Sequence, residues 1–317
     1  MSRIHEALKR AEQERSAGAN VPAGERPAEN AVASSVIDAA HRPASALLQP
    51  PTAAVQVAPE QPEGAVADAI QFDELWARCS QRRWKPDPNL VVFENSNPFF
   101  PGAEQFRTLR SRLYRMREGQ PLQTVLISSA IPAEGKTVVS TNLAYALVRQ
   151  RGCRVLLIDA DLRSPRVHTL LGAPGAPGLA DYLQSSATEF EVTQRGGEEG
   201  FCFIPAGNHV THPSELISST RMKHFLDRVR PAFDWIIIDS PPALPVADSS
   251  VLGGLVDGVL LVVRASSTPS EASLRACKEL RDAHILGVVL NTADETSGYS
   301  SYYSSSSYTT PPESVRK

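Results

Sequence analysis

Lys136 and Thr137 close the stretch "SSAIPAEGKT", where a run of apolar residues, "TVLI", breaks into a turn. A strand, a turn and a helix that begins at Gly-Lys-Thr can hold a phosphate. Backbone N–H groups across 133 to 137 point inward at β- and γ-phosphates, and the following helix adds its positive end. Lys136 brings a mobile cation to the terminal phosphates, and the Thr137 hydroxyl suits magnesium. Pro132, Ala133, Glu134, Gly135 and Val138 complete the loop, and Ala130 replaces the first glycine of the usual G-x-x-x-x-G-K-[ST] pattern. Three carboxylates accompany it. "VLLIDADLRSP" carries Asp159 and Asp161, and "WIIIDSPP" carries Asp239. Each follows an apolar run, and in open α/β sheets ligands bind outside the carboxyl ends of the strands. The three aspartates and Lys136 are therefore expected to converge on one crevice. Carboxylates placed there hold magnesium directly or through water, and one of them can take a proton from an incoming hydroxyl. A single strand-end aspartate is often a helix cap. Three of them beside a phosphate loop are harder to explain that way.

The elements that must position these groups repeat along the chain. "TVLISSA", "RVLLIDAD", "FCFIPAG", "DWIIIDSPP", "GVLLVVRA" and "ILGVVLN" are short apolar runs separated by helical stretches. Such alternation predicts a mostly parallel sheet buried on both faces and flanked by helices, an α/β P-loop NTPase with a deviant phosphate loop. This domain is expected over 86 to 297. Residues 1 to 15 read as an amphipathic helix with Ile4, Ala7, Leu8 and Ala11 on one stripe. Residues 16 to 85 read as an Ala/Pro-rich linker, poor in apolar periodicity, that cannot offset its chain entropy. A short transitional helix is expected near its end, in "IQFDELWARCSQRRW". Residues 298 to 317 form a Ser/Tyr tail with no core-forming period.

The bulk composition narrows the function classes. The 317 residues are 42% hydrophobic and 21% charged, with a formal net charge of -3. That balance fits a soluble protein with a core and gives no general affinity for nucleic acid. Cys79, Cys153, Cys202 and Cys277 form no C-x-x-C pair, so neither a zinc site nor a disulfide framework is indicated. No apolar run approaches the roughly 20 residues of a membrane span, and the N-terminus lacks a signal core. A cytoplasmic location is the expectation.

"SSAIPAEGKT", "LLIDADLRSPRVH" and "IIIDSPP" together resemble the Walker A, Walker A' and Walker B motifs of the bacterial tyrosine kinases of capsule and exopolysaccharide systems. The resemblance covers about residues 98 to 310. It implies ATP and Mg2+ as cofactors, with Lys136 and Thr137 on nucleotide and metal and Asp159 as the base for a tyrosine hydroxyl. Asp161 and Asp239 would arrange the metal. The family commonly reads Pro-Gly-Glu-Gly-Lys, and Ala133 stands here in place of that glycine, although alanine disfavours positive φ. Asn291 resembles the adenine-reading Asn of related P-loop ATPases, and a strand-terminating turn residue is an equal reading. Tyr299, Tyr302, Tyr303 and Tyr308 lie among serines and threonines with nothing to bury them. The resemblance makes them the autophosphorylated cluster. Glu104, Arg107 and Arg110 in "EQFRTLR" resemble the family's oligomerisation motif, which implies a homo-oligomeric ring and phosphorylation in trans. The further expectations are a membrane polysaccharide co-polymerase as activator, recruitment to the inner face of the plasma membrane, a protein-tyrosine phosphatase as partner, and control of polymer export. Two other readings stand beside this one. A ParA/MinD-like positioning ATPase usually carries a lysine where Ile131 stands and has no use for the tyrosines. An ATP-binding, non-catalytic adaptor is the other.

Overall fold

A computed structural model describes residues 69–94 and 101–293. The expected N-terminal helix and the four tail tyrosines lie outside these residues. Eight strands form one sheet: β1 (Ser80–Gln81), β2 (Thr124–Ser129), β3 (Val155–Asp159), β4 (Gln194–Arg195), β5 (Phe201–Ile204), β6 (Trp235–Asp239), β7 (Gly258–Arg264) and β8 (Ile285–Asn291). Their order across the sheet is β1-β4-β5-β3-β6-β2-β7-β8. Every pairing is parallel except β4 with β5.

The apolar runs are continuous because both faces of the sheet are covered. Successive side chains alternate faces. Leu126, Leu156, Ile158, Ile236, Ile238 and Leu261 enter one hydrophobic cluster. Val125, Ile127, Val155, Leu157, Ile237 and Val262 enter the other. Each alternate set meets helices. On the second face the sheet packs against Leu143, Ala144 and Leu147 of the helix Lys136–Val148. Asn142, fully buried in that helix, holds an outlying turn to the core. Its side-chain amide accepts from the Val92 N–H at 2.8 Å and donates to the Leu90 carbonyl at 2.8 Å.

The linker expected over 16 to 85 stops earlier than that. A helix spans Phe72–Arg78, and β1 follows it into the sheet. Leu75 is buried in one core cluster, and Trp84 packs edge-on against Phe201 and Phe203 in the other. These aromatic anchors offset the ordering cost that the preceding Ala/Pro-rich composition cannot meet. The fold therefore reaches back at least to residue 69, and the transitional helix is part of it. Among the described residues no helix is long and apolar enough to cross a membrane.

The sheet order reverses at β2, which lies between β6 and β7 with β3 beyond β6. That reversal opens a crevice at the carboxyl ends of β2, β3 and β6. In register, Asp239 lies opposite both Ile127 and Asp159.

Candidate active site

The phosphate loop leaves β2 and turns into the helix Lys136–Val148 through two left-handed residues. Gly135 has φ 89° and Ala133 has φ 67°. Glycine is required at 135 for a second reason, since a Cβ there would lie 2.0 Å from Asn291 Nδ2. At 133 the positive φ that alanine disfavours is realised, and it carries strain. Replacing Ala133 by Gly is expected to stabilise the protein by about 0.5–1 kcal/mol, the left-handed cost less glycine's extra chain entropy. A thermal melt should show a midpoint about 1–3 °C higher. A lower midpoint would mean the loop gains more from alanine's Cβ than it loses in backbone strain.

The loop brings its cation and hydroxyl onto the strand-end carboxylates. Lys136 Nζ lies 2.9 Å from Asp161 Oδ2 and 4.0 Å from Asp239 Oδ2. Thr137 Oγ1 donates to Asp239 Oδ2 at 2.8 Å. Burial works against the Lys136 charge, but Asp239 and then Asp161 outweigh it and its pKa rises. Burial pushes Asp239 up to about 6, against the pull of Lys136 and Thr137. Asp159 is driven well above the carboxylate range by burial and by the adjacent Asp239. These are carboxyls crowded into a dry place, an arrangement suited to a cation.

The residues present fit magnesium. Asp239 Oδ1 is buried with no hydrogen-bond partner. A bare carboxylate oxygen beside a threonine hydroxyl is a hard, anionic donor set. Mg2+ commonly takes one or two such ligands and completes its shell with water and phosphate oxygens.

A cleft of about 660 Å³ opens over this cluster, lined on one side by Pro132, Ala133, Gly135, Lys136, Thr137 and Val138. Asp161, Arg163 and Arg166 form a second side, and Pro241, Pro242 and Pro245 a third. Asp159 is not among its walls. Asp159 is fully buried, and both its oxygens accept backbone N–H groups, Oδ1 from Asp161 and Oδ2 from Arg166 and Val167, at 3.1 to 3.2 Å. As placed here it anchors the turn after β3, and Asp161 is the carboxylate that faces the cleft.

Two other expected loop contacts point elsewhere. The Glu134 side chain turns inward, and Oε2 accepts from the Ile131 N–H at 2.7 Å. Asn291 Nδ2 donates to the Glu134 carbonyl at 2.9 Å, while Asn291 Oδ1 accepts from the Thr292 N–H at 3.0 Å. The Asn291 amide thus secures the strand end and the loop, and it is not directed at a base. On the helix Pro101–Gly119, Glu104 and Arg107 pair with each other on the surface. Arg110 instead donates to the Ala146 carbonyl at 2.7 Å, so its side chain is engaged within its own chain.

Among the cleft residues that sequence reasoning missed is an arginine with a buried partner. Arg163 Nε donates to Asp248 Oδ2 at 2.9 Å, and its Nη2 donates to Ser214 Oγ at 2.7 Å. Asp248 is buried at the start of the helix Asp248–Gly253. Arg163 follows Asp161 by two residues in "DADLR", a readable cue, but its partners are dozens of residues distant in the chain.

Known proteins share this architecture. An AAA domain family matches residues 125–268. The tyrosine-protein kinase YwqD of Bacillus subtilis is 34% identical over 202 residues, which cover 63% of this chain and 85% of that protein. The tyrosine-protein kinase etk of Escherichia coli (strain K12) is 34% identical over 224 residues, 70% of this chain but 30% of that longer protein. Among solved structures, the kinase domain of the Escherichia coli tyrosine kinase ETK superposes with a TM-score of 0.62 at 31% identity, covering 74% of this chain and 92% of that domain.

Proposed function

We propose, because this chain belongs to the bacterial tyrosine-protein kinases, that it transfers the γ-phosphoryl of ATP to the tyrosines of its own C-terminal cluster. The observation that carries the reading is that Lys136, Thr137 and Asp161, which line the cleft, gather over the buried Asp239 beneath it. Phosphoryl transfer asks little covalent chemistry of a protein. It asks for positioning and for charge compensation as the γ-phosphate moves.

The geometry supports a role for each residue. Thr137 and Asp239 would hold magnesium, which offsets the charge building on β- and γ-phosphate oxygens. Lys136, now spanning Asp161 and Asp239, shifts its ammonium to the phosphates when they arrive. That exchange releases Asp161, which faces the cleft and is placed to take the tyrosine proton. Asp159 keeps the turn of Asp161 in place from behind. Arg163, held by the buried Asp248, fixes the wall that Asp161 shares.

The tyrosines support the same reading from the sequence. Tyr299, Tyr302, Tyr303 and Tyr308 have no apolar spacing that would give them a core role. Phosphorylation in trans within a homo-oligomer, with the exposed Glu104–Arg107 pair at the subunit boundary, is the arrangement we favour. A membrane polysaccharide co-polymerase as activator, a phosphatase as antagonist and control of polymer export complete the proposal by analogy with the relatives.

Incubation with ATP and Mg2+ followed by phosphotyrosine detection tests it. Wild-type protein is expected to label, and the variant with all four tail tyrosines changed to Phe is expected to lose most of the signal. Mixing that variant with a Lys136→Met chain separates the routes. Labelling of the Lys136→Met tail supports transfer between chains, whereas its absence confines transfer to one chain. No labelling of the wild type under any of these conditions, despite nucleotide binding, would favour the non-catalytic adaptor.

A further inference from the structure

The phosphate loop is held from behind as well as open in front. Glu134 lies between the two left-handed residues Ala133 and Gly135, and the residue is only 2% exposed. A carboxylate buried in a loop needs donors. One is the Ile131 N–H. The other is the Thr268 hydroxyl, which donates to Glu134 Oε1 across from the turn after β7. That hydroxyl is itself oriented, because Thr268 Oγ1 accepts the Arg264 N–H at 3.1 Å. Its single proton is then directed at Glu134.

The loop's carbonyls are held on the same side. The Glu134 carbonyl accepts from Asn291 Nδ2 at 2.9 Å, and the Ala133 carbonyl accepts from Arg264 Nη1 at 3.4 Å. A peptide group whose C=O is fixed backward presents its N–H forward. The ends of β7 and β8 therefore hold the loop's acceptors away from the cleft and aim its amides into it, which a nest for phosphate requires.

We infer that Thr268 is a positioning residue for nucleotide phosphates, acting through Glu134 to fix the orientation of the phosphate loop. The inference rests on the reading of residues 132 to 138 as the nucleotide site. Thr268 touches no part of the cleft wall, and its hydroxyl is the part that matters. Valine keeps its shape and removes the donor, leaving the buried Glu134 carboxylate one hydrogen bond short. Serine keeps the donor.

The test compares Thr268→Val and Thr268→Ser in the full chain. Magnesium-ADP binding is measured by titration calorimetry at a temperature where melts show all proteins folded. Thr268→Val is expected to bind about tenfold more weakly, the size of one lost hydrogen bond to a charged group. Thr268→Ser is expected to bind within about twofold of wild type. In autophosphorylation assays the valine variant should show a raised KM for ATP with kcat changed less. Unchanged affinity in Thr268→Val, or equal weakening in Val and Ser, would overturn the inference, since a merely structural threonine moves the melt without this pattern. Wild-type protein that binds no magnesium-ADP would overturn the nucleotide reading and this inference with it.

Discussion

Replacing Lys136 by Met is expected to lower autophosphorylation by about a thousandfold or more while the fold persists. Charge compensation on a transferring phosphoryl group commonly accounts for two to three decades per donor, and more where no other cation takes its place. Here the Lys136 ammonium is the cation bridging Asp161 and Asp239. Methionine matches the lysine stem to within one atom and fills its largely buried path, so the helix Lys136–Val148 should keep its start. The carboxylates lose their counter-charge, and Asp239, already pushed up to about 6, will hold its proton more readily. The checks are an initial rate by phosphotyrosine blot and a circular dichroism spectrum of the same preparation. A folded Lys136→Met protein that labels at the wild-type rate would remove Lys136 from the site.

Much of this site was legible because its cues are local. Each strand-end aspartate follows an apolar run, and a run buried on both faces announces a parallel strand whose end faces the ligand. Gly-Lys-Thr after "TVLISS" needed no distant information, and the left-handed geometry required of Ala133 was implied by the glycine it replaces. What stayed hidden depends on contacts remote in sequence. Glu134 reads as a loop residue facing phosphate, yet Thr268, more than a hundred residues on in the turn after β7, draws its side chain inward. Asp159 and Asp161 look equivalent in "DAD". The strand ends at Asp159 and the chain turns there, which leaves Asp159 under the sheet end, where it accepts backbone N–H groups, and Asp161 on the cleft wall. Arg110 fits a surface stripe by spacing, but the neighbouring helix offers it the Ala146 carbonyl. The segment 69–85 was hidden by its context. Its few aromatic anchors follow a long stretch without periodicity, and only the sheet edge gives them something to pack on.

Asp239→Asn is expected to separate stability from activity. The ligand-free protein holds Asp239 in a fully buried place, with one oxygen on Thr137 and the other without a partner. Its pKa rises from 3.8 to about 6. The sign follows from the protons bound. Between about pH 4 and 6 the folded state retains a proton that the unfolded chain has released, so stability falls as pH rises through that window. Above it the full cost of a buried charge is present, on the order of 3 kcal/mol. Asparagine keeps an oxygen for the Thr137 hydroxyl and carries no charge. At pH 8 its melting midpoint should exceed that of the wild type by about 6 °C or more, given about 2 °C per kcal/mol at the shallow end for a domain of this size. The difference should shrink towards zero as pH falls below about 4, where the wild-type carboxyl becomes protonated in both states. Autophosphorylation should meanwhile fall by at least about a hundredfold, since the neutral amide is a poor magnesium ligand. Added magnesium nucleotide should reverse the order of the two melts at pH 8, because the wild type alone gains a cation against its unpaired oxygen. If the asparagine protein melts lower at pH 8 without ligand, the carboxylate is held by structural partners and was never kept in a costly state for a metal. If it melts higher yet phosphorylates normally, the metal is held elsewhere. Only the combination of a raised midpoint, a pH-dependent gap and lost activity fits a carboxylate kept ionised for magnesium at the expense of the empty fold.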